Sequence, residues 1–280
     1  MTKTNTIFTA CCRRIGSLAR RTLPVAVILM TGCFETHPYD VKFDGEKYIN
    51  KRHTKEIEQR FANRDTLRIA FISDTHLWHS DARDQVDDIN RRGDIDFVIH
   101  LGDITDTGTS KEFEWSREIL DGLHMPYVVL IGNHDFLGTG NQTYSLMFGD
   151  VDFSFIAARV KFVCLNTNAS EYDYMAAVPN FDFMEEEFTR DSALFSRTLV
   201  LMHAAPYSDQ FNNNVCKAFR RYLDYFPGLM CCLYGHDHTD DNNDIYNDGL
   251  TFYAVDCAKH RKYRIMTITP DGYEMEDISY

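Results

Sequence analysis

The chain has 280 residues, enough for one large domain or two small ones, and 44% of them are hydrophobic, an ordinary share for a globular protein. Acidic residues outnumber basic ones by 42 to 29, which gives a formal net charge of -13 at pH 7. Broad electrostatic capture of nucleic acid or anionic lipid headgroups needs a basic face, so no extended nucleic-acid surface is expected. Any phosphate group must be bound locally.

Residues 1–32 are predicted to be a secretory signal peptide. Four arginines precede the apolar run "LPVAVILM" at positions 23–30, and "TGC" follows it. A basic region, an apolar region too short to span a bilayer stably, and small residues before a cleavage site are typical of such signals. The stretch "MTGC", Met30–Cys33, also resembles a bacterial lipobox. This resemblance implies that Cys33 carries lipid and becomes the mature N-terminus.

The lipobox resemblance implies a protein of the bacterial cell envelope that is held on a membrane by its lipid anchor. Phe34 and Glu35 offer no aspartate retention signal of the kind known for inner-membrane lipoproteins, so the outer membrane is favoured over the inner. Removing residues 1–32 would delete five basic residues and no acidic ones, leaving 24 basic against 42 acidic residues. A short buried helix followed by a chance cysteine is the alternative interpretation.

Residues 33–65 are predicted to form a tether and an N-terminal segment that packs on the main domain. Within them, "INKRHTKEIEQRF" offers an amphipathic helix at Glu56–Phe61. One domain is predicted over residues 66–280, because no repeat, low-complexity tract or second boundary interrupts it. It begins with strand-like and helix-like segments in alternation, in the order TLRIAFI, DARDQVDDINRR, DFVIHL, SKEFEWSREILDGL and YVVLI. This alternation predicts βαβ units and a parallel sheet.

The second half of the domain has a mixed pattern. It predicts a hairpin at FSFIAARVKFVCLN, a helix at FDFMEEEFTRDSALF, and strands at TLVLMH, LMCCLYG, LTFYAVD and YRIMTIT. Turn residues at Thr269–Glu274 lie between two late strands, of which YRIMTIT is the first. Five cysteines follow Cys33, an odd number that rules out complete pairing within the chain, and those in apolar runs are expected to be small hydrophobes.

Polar side chains follow five of these strands at the point where each strand ends. In open α/β sheets, ligands bind outside the carboxyl ends of the strands, so these side chains are candidates for one shared site. Each of them, taken alone, could have a purely structural role, because Asp often caps helices and a sequence such as Gly-Asn-His-Asp often forms a turn. The residues are Asp74 and His76 after RIAFIS, Asp103 after FVIHLG, Asn133 and His134 after VVLIG, His203 after TLVLM, and His236 and His238 after CCLYG.

The donor types and their spacing predict a metal centre. Asp74 and His76 are two residues apart in the sequence. The same spacing separates His236 from His238, and in extended backbone residues two apart project to one side. Carboxylates, imidazoles and one carboxamide, without sulfur, suit manganese, iron, zinc or nickel better than copper(I) or a sulfur cluster.

The motifs D-T-H, G-D-I-T-D, G-N-H-D, a later single His and G-H-D-H, in this order, resemble those of the calcineurin-like metallophosphoesterase family over about Thr66–Asp256. The resemblance implies an α/β fold in which two mixed β-sheets pack as a sandwich flanked by helices. It also implies two transition metal ions, of manganese, iron or zinc, bridged by Asp103. One ion would be bound by Asp74, His76, Asp103 and His238, and the other by Asp103, Asn133, His203 and His236.

The same resemblance implies an enzyme that hydrolyses phosphate esters: a phosphomonoester, a phosphodiester or a pyrophosphate. A hydroxide bridging the two ions would attack phosphorus. His134 would face the phosphorylated small-molecule substrate and protonate its leaving oxygen or stabilise the transition state, a role suited to an imidazole titrating near neutrality. Asp135 is predicted to hold the His134 ring. Asp106 is either a turn former or a further hydrogen-bond acceptor behind the site.

Two other classes of function are alternatives to the phosphoesterase. A metal-stabilised surface binding lipoprotein without turnover would need no general acid, and His134 argues against it. A metallo-amidase or peptidase is disfavoured because no HExxH helix exists in the sequence. Substrate identity stays open, since the candidates for the mouth of the site are loop residues that could equally be plain surface. They are Tyr172, Tyr174, Gln210–Asn214 and Lys259–Lys262.

Overall fold

The computed structural model describes residue 37 and residues 39–280, so the predicted signal peptide and Cys33 lie outside the described residues. The chain divides after Asp40 into two units. In the first, the backbone N–H of His37 donates to the carboxylate of Asp40 at 3.0 Å. The second unit comprises residues 41–280. Within the described part of the chain, no helix combines the length and apolarity needed to cross a membrane.

All the helices and strands that the structure describes belong to the second unit. The α-helices are α1 (Ile49–Phe61), α2 (His79–Arg92), α3 (Ser110–Leu120), α4 (Gly140–Met147), α5 (Phe181–Thr189) and α6 (Cys216–Leu223). The strands are β1 (Leu67–Ile72), β2 (Phe97–His100), β3 (Tyr127–Val129), β4 (Phe153–Ala157), β5 (Val160–Leu165), β6 (Arg197–Met202), β7 (Leu229–Tyr234), β8 (Asn242–Asn243), β9 (Phe252–Ala254), β10 (Lys262–Thr269) and β11 (Gly272–Ser279). Short 3-10 turns lie at His134–Phe136, Ala169–Tyr172, Asn213–Val215 and Ala258–His260.

The strands form two mixed sheets. The first has the order β11-β10-β1-β2-β3, and the second has the order β4-β5-β6-β7-β9-β8. Strands β1, β2 and β3 are parallel, as are β5, β6, β7 and β9. The β4–β5 hairpin and the β10–β11 pair are antiparallel. The predicted βαβ units, hairpin and late turn are therefore confirmed.

The two sheets pack face to face, and helices cover both outer faces. In β1, Ile69 and Phe71 enter the core between the sheets, whereas Ala70 and Ile72 face the helices. Because side chains alternate along a strand, burial on both faces produces the continuous apolar runs in the sequence. Helices α2 to α4 cover the first sheet, and α5 and α6 cover the second. The predicted sandwich of two mixed sheets flanked by helices is confirmed.

Helix α1 begins at Ile49, earlier than the predicted start at Glu56, because its polar residues bind the edge of the first sheet. The Asn50 side chain donates to the carbonyl of Val129 at 2.7 Å and accepts from the N–H of Val129 at 3.0 Å. His53 Nδ1 lies 2.6 Å from the carbonyl oxygen of Tyr127. These contacts satisfy backbone groups of β3 that no further strand pairs with.

The helix that begins at Phe181 is shorter than the prediction. It ends at Thr189, and Arg190 leaves the helical conformation with φ -59° and ψ 124°. The buried ammonium of Lys161 donates to the carbonyls of Glu187 and Arg190, both at 2.8 Å, and so satisfies the last turn of the helix. All five cysteines of the second unit are free and buried, which agrees with the predicted role of Cys164, Cys231 and Cys232 as small hydrophobes.

Candidate metal centre

The predicted donors follow β1, β2, β3, β6 and β7, and the structure brings them together at the carboxyl ends of both sheets. Backbone hydrogen bonds fix neighbouring loops against each other. The N–H of Asp74 donates to the carbonyl of Gly102 at 3.0 Å, and the N–H of His76 donates to the carbonyl of Asp103 at 3.1 Å. The N–H of His236 donates to Asp74 Oδ2 at 3.0 Å, which joins the second sheet to the first.

Three of the donors form what we call the Asp74 group: Asp74, His76 and His238. His238 Nε2 lies 3.2 Å from Asp74 Oδ1, and His76 Nε2 lies 3.7 Å from the same oxygen. On the far side of its ring, His76 Nδ1 lies 3.1 Å from the carbonyl oxygen of Thr105. A histidine whose Nδ1 is bonded in this way presents Nε2 as the free ligand atom.

The remaining donors form the Asp103 group: Asp103, Asn133, His203 and His236. His203 Nε2 lies 3.2 Å from Asp103 Oδ2 and 3.1 Å from Asn133 Oδ1. His236 Nδ1 lies 3.1 Å from the same Asn133 oxygen. His203 Nδ1 is 2.9 Å from the carbonyl oxygen of Leu101, so Nε2 faces the group.

Asp103 connects the two groups. Besides its contact with His203, its Oδ2 lies 3.7 Å from Nε2 of His76. Donor atoms that share one transition metal ion lie roughly 3 Å apart, because each bond is about 2.1 Å long. The donor separations of 3.1 to 3.7 Å in the two groups are close to that spacing, so carboxylates, imidazoles and the Asn133 amide fit two cation sites.

The carboxylates and imidazoles of the site stabilise one another's charged forms. Burial opposes ionisation of Asp74, but hydrogen bonds with His238 and His76 outweigh it and hold the pKa of Asp74 well below its usual range. The hydrogen bond to Asp74 in turn raises the pKa of His238 to about 10. Burial lowers the pKa of His203, yet the charge of Asp103 outweighs it and raises that pKa to about 9. Buried carboxylates that stabilise the protonated form of the neighbouring imidazoles would also stabilise metal cations at the same position.

The backbone at the donors is not extended, and the prediction that each close pair projects from extended backbone is wrong. Asp74 and His76 have φ of 50° and 41°, and His236 and His238 have φ of 67° and 52°. Asp103 is also left-handed, with φ of 58°. Such conformations cost non-glycine residues of order 1 kcal/mol or more each. The donors therefore converge because each loop turns sharply, and strain is concentrated at the site.

Two glycines let the loops approach this closely. A Cβ at Gly132 would collide with the backbone nitrogen and carboxylate of Asp103. A Cβ at Gly235 would lie 2.8 Å from Asp74 Oδ2. Both glycines directly precede donors in the motifs G-N-H-D and G-H-D-H, so they are explained by close packing at the site.

His134 lies beside both groups, but Asp135 does not hold its ring. The rings of His134 and His76 have centroids 4.7 Å apart, and the N–H of His134 donates to Asp103 Oδ1 at 2.8 Å. His134 Nδ1 lies 2.8 Å from the backbone carbonyl of Asp106. The predicted contact between Asp135 and His134 is therefore wrong, and the acceptor behind His134 is the Asp106 main chain.

Asp135 instead organises the loop that follows β2. Its Oδ2 accepts the backbone N–H groups of Asp103 and Gly132, both at 2.9 Å. Its Oδ1 accepts from the N–H and the hydroxyl of Thr105 at 3.0 and 2.8 Å. Burial, followed by the charge of Asp103, raises the pKa of Asp135 to about 6. Asp135 thus positions Asp103 through the backbone.

Two residues of the site were missed by sequence reasoning. Asp209, whose side chain is 82% exposed, lies 2.8 Å from His236 Nε2. It comes from a loop without a recognisable motif. His100, the last residue of β2, is buried beneath the site, with Nε2 3.2 Å from the hydroxyl of Thr75. The sequence signal that could have identified His100 is a histidine at the end of an apolar run.

The family model for the calcineurin-like phosphoesterases matches residues 67–240. The chain therefore belongs to this family. The family and fold inferred from the D-T-H to G-H-D-H motifs are confirmed, and the prediction of a phosphoric ester hydrolase is confirmed at the level of the family.

Individual proteins give more distant similarity. A 3′,5′-cyclic-nucleotide phosphodiesterase of Nostoc sp. is 24% identical over 164 residues, which are 56% of this chain and 60% of that protein. The chain thus matches about 60% of the length of this curated relative. A dimetal phosphatase from Danio rerio has a TM-score of 0.54 and 14% identity over 76% of this chain and 99% of its own. A purple acid phosphatase from yellow lupin (Lupinus luteus) seeds has a TM-score of 0.58 and 14% identity over 78% of this chain and 52% of its own. At these identities the two structures show a shared fold.

Proposed function

We propose that the protein is a hydrolase of phosphate esters that depends on two transition metal ions, of manganese, iron or zinc. One observation carries this proposal: the buried carboxylate of Asp103 belongs to one group of donors and also contacts the other. A single-ion site would leave one of these groups without a function. A scaffold role would not require strained backbone at five donors.

The donors divide between the ions as their distances suggest. Both ions would be held by Asp103, since its carboxylate contacts each group. Bound ions of this kind supply Lewis-acid polarisation of the phosphate and lower the pKa of water. The other ligands would be Asp74, His76 and His238 for one ion, and Asn133, His203 and His236 for the second.

His134 is suited to transfer a proton to the leaving oxygen. Its Nδ1 is bonded to the Asp106 carbonyl, so Nε2 is the ring atom available to a substrate. Its backbone N–H is bonded to Asp103, which fixes the residue beside the shared carboxylate. A protonated imidazole in this position would donate from Nε2 as the phosphorus–oxygen bond breaks.

Phosphodiesters are the favoured substrate class. The Nostoc relative is described as a cyclic-nucleotide phosphodiesterase, and the similarity covers 56% of this chain. The excess of acidic over basic residues in the chain favours a small substrate that is bound through its phosphate. It disfavours a nucleic acid, which would bind along a basic face.

The decisive experiment combines metal content with turnover. The protein is stripped with a chelator, reconstituted with manganese, iron or zinc, and assayed on para-nitrophenyl phosphate and bis-para-nitrophenyl phosphate. We expect about two ions per chain and metal-dependent release of para-nitrophenol, faster from the diester. A protein that bound both ions but turned over neither ester would be the binding lipoprotein of the alternative hypothesis. A protein that bound no ion would refute the metal centre.

We further propose that Cys33, which lies outside the described residues, carries lipid and holds the enzyme on an envelope membrane. Stable anchoring requires more than one acyl chain, and a lipidated N-terminal cysteine would supply it. In a bacterial host, Cys33→Ala should move the protein from the membrane fraction to the soluble or unprocessed fraction. Cys12→Ala, within the same leader, is the matched control and should change nothing. Identical fractionation of the two variants would contradict lipidation.

A further inference from the structure

We propose that Lys259 binds a second anionic group of the substrate, so that the enzyme prefers phosphodiesters carrying another phosphate or carboxylate. This inference rests on the proposed function. It predicts that the part of the substrate outside the reacting phosphodiester carries an additional anionic group. Three observations carry it: the rigid attachment of the turn that holds Lys259, the aromatic ring beneath its ammonium group, and the absence of an acidic partner among the described residues.

The turn Ala258–His260 is fixed directly to the Asp74 loop. The N–H of Ala258, a buried residue, donates to the backbone carbonyl of Asp74 at 3.3 Å. At the start of the turn, the carboxylate of Asp256 accepts the N–H of Cys257 at 2.8 Å and lies 2.7 Å from Nδ1 of His260. Lys259 is therefore carried by a turn whose position is set by a proposed metal ligand.

Trp78 places the ammonium group of Lys259 beside the Asp74 group. The Trp78 ring lies edge-on to the rings of His76 and His238, with centroid separations of 5.2 and 5.7 Å. Lys259 Nζ lies 5.5 Å from the centroid of the same indole ring. A cation over an aromatic face is attracted by the ring's electrons, which favours this side-chain position over free rotation in solvent. One indole ring thus separates the lysine from two proposed metal ligands.

Lys259 differs from its basic neighbours in having no acidic partner. Arg261 pairs with Asp84 at 2.7 Å, and Lys262 pairs with Asp240 at 2.8 Å. Among residues 39–280, no carboxylate lies within ion-pairing distance of Lys259, although the chain has an excess of acidic residues. An exposed lysine held in place without a counter-ion is available to an anionic ligand.

The rim beside the Asp103 group has the opposite charge. Asp209 lies against His236, and Glu171 belongs to the turn Ala169–Tyr172, whose Ala169 N–H donates to the carbonyl of Gln210, the residue after Asp209, at 2.9 Å. A second anionic group would be repelled on that side and attracted by Lys259. This asymmetry gives the substrate one orientation, with the reacting phosphate at the metal groups and the second anion over the Trp78 ring.

The test compares two substrates that differ by one phosphate: thymidine 5′-(para-nitrophenyl phosphate) with and without a 3′-phosphate. Release of para-nitrophenol reports cleavage of the diester alone. We expect the wild-type protein, reconstituted with manganese, to show about fivefold higher kcat/KM for the 3′-phosphorylated ester, the size of one favourable exposed charge pair. Lys259→Met should remove the preference, and Lys259→Arg should keep it.

Two controls separate recognition of charge from a structural effect. Lys262→Met removes a neighbouring lysine that is already paired with Asp240 and should keep the substrate ratio. Raising the salt concentration should reduce the wild-type ratio towards that of Lys259→Met, because screening weakens exposed charge pairs. The ratio cancels any effect on catalysis common to both esters.

The role of Lys259 and the proposed function are overturned by different outcomes of this test. A wild-type enzyme that cleaves both esters equally, or a preference that Lys259→Met retains, overturns the role of Lys259 and leaves the proposed function standing. A wild-type protein that cleaves neither ester with manganese, iron or zinc overturns the proposed function and this inference together.

Discussion

The Asp74 group and the Asp103 group have similar donors, but one histidine of each, His238 and His203, differs in exposure. In the Asp103 group, the side chain of His203 is 0% exposed, whereas in the Asp74 group the side chain of His238 is 35% exposed. A buried imidazole next to a buried carboxylate is part of the core, and removing it leaves a charge that water cannot reach. A half-exposed imidazole has no such constraint. Equivalent motifs in the sequence therefore have different consequences for stability.

The largest effect is expected from Asp103→Asn, which removes the carboxylate that the two groups share. Asparagine keeps the shape but loses the charge, so both ions should bind poorly and turnover should fall by at least about a thousandfold. Elemental analysis after reconstitution, together with kcat on bis-para-nitrophenyl phosphate, measures this. Asp224→Asn, in an exposed ion pair with Arg220, is the control. Loss of a single ion would show that the groups are independent.

His134→Ala tests whether the fifth imidazole of the site, which lies close to both groups, is a metal ligand of either. We expect full metal content, with kcat reduced by about a hundredfold to ten-thousandfold on esters with alkoxide leaving groups. The loss should be smaller on para-nitrophenyl esters, whose leaving group hardly needs a proton. Reduced metal content would make His134 a ligand. Equal losses on both ester types would reject proton donation.

His203→Ala and His238→Ala compare the two groups directly. In the metal-free protein, His203→Ala should lower the free energy of unfolding by about 3 kcal/mol, because buried Asp103 loses its closest imidazole and water cannot replace it. His238→Ala should cost less, about 1 kcal/mol, because water can enter the partly exposed position and hydrate buried Asp74 in place of the lost imidazole. Urea unfolding at pH 7 gives both values. Equal destabilisation by the two substitutions would show that the burial of the imidazole does not determine its contribution to stability.

The effect that is smallest at pH 7, because it appears only as the pH falls, concerns His100, which is buried beneath the site. Burial lowers the pKa of His100 from 6.5 to about 3, so the folded state keeps the ring neutral. The unfolded chain takes up the proton first as the pH falls. The stability that His100 contributes is therefore complete above pH 6.5 and is lost between 6.5 and about 3, at about 1.4 kcal/mol per pH unit.

Replacing the titrating ring isolates this contribution. His100→Gln should flatten the dependence of unfolding free energy on pH between about 6.5 and 4, measured by urea unfolding on the metal-free protein. His124→Gln, at an exposed position, should leave the slope as in the wild type. An unchanged slope in His100→Gln would mean that His100 does not oppose protonation of the folded state.

The sheets and the site donors could be predicted because both depend on local sequence patterns. Continuous apolar runs mark strands buried on two faces, and the polar residue that ends each run marks the carboxyl edge where the donors meet. Thus Asp74, Asp103 and His203 could each be chosen from their position after a strand. Their convergence follows from the parallel arrangement that the alternating pattern predicts.

The contacts that failed prediction are those set by distant backbone. Asp135 is next to His134 in the sequence, but its oxygens are taken by N–H groups in the loop after β2, whose position no local pattern reveals. Helix α1 begins earlier than expected because its Asn50 side chain binds the edge of β3, 79 residues away. In both cases a polar side chain is satisfied by tertiary contacts with the main chain.

The hydrogen bond from the His236 N–H to Asp74 joins residues 162 positions apart. Closing such a loop carries a large entropic cost, which is recovered only when the strands between its ends have paired. The catalytic constellation therefore assembles late in folding, after both sheets have docked. Recovery of activity during refolding will report completion of the whole fold, and a partly folded chain will not hold a working half of the site.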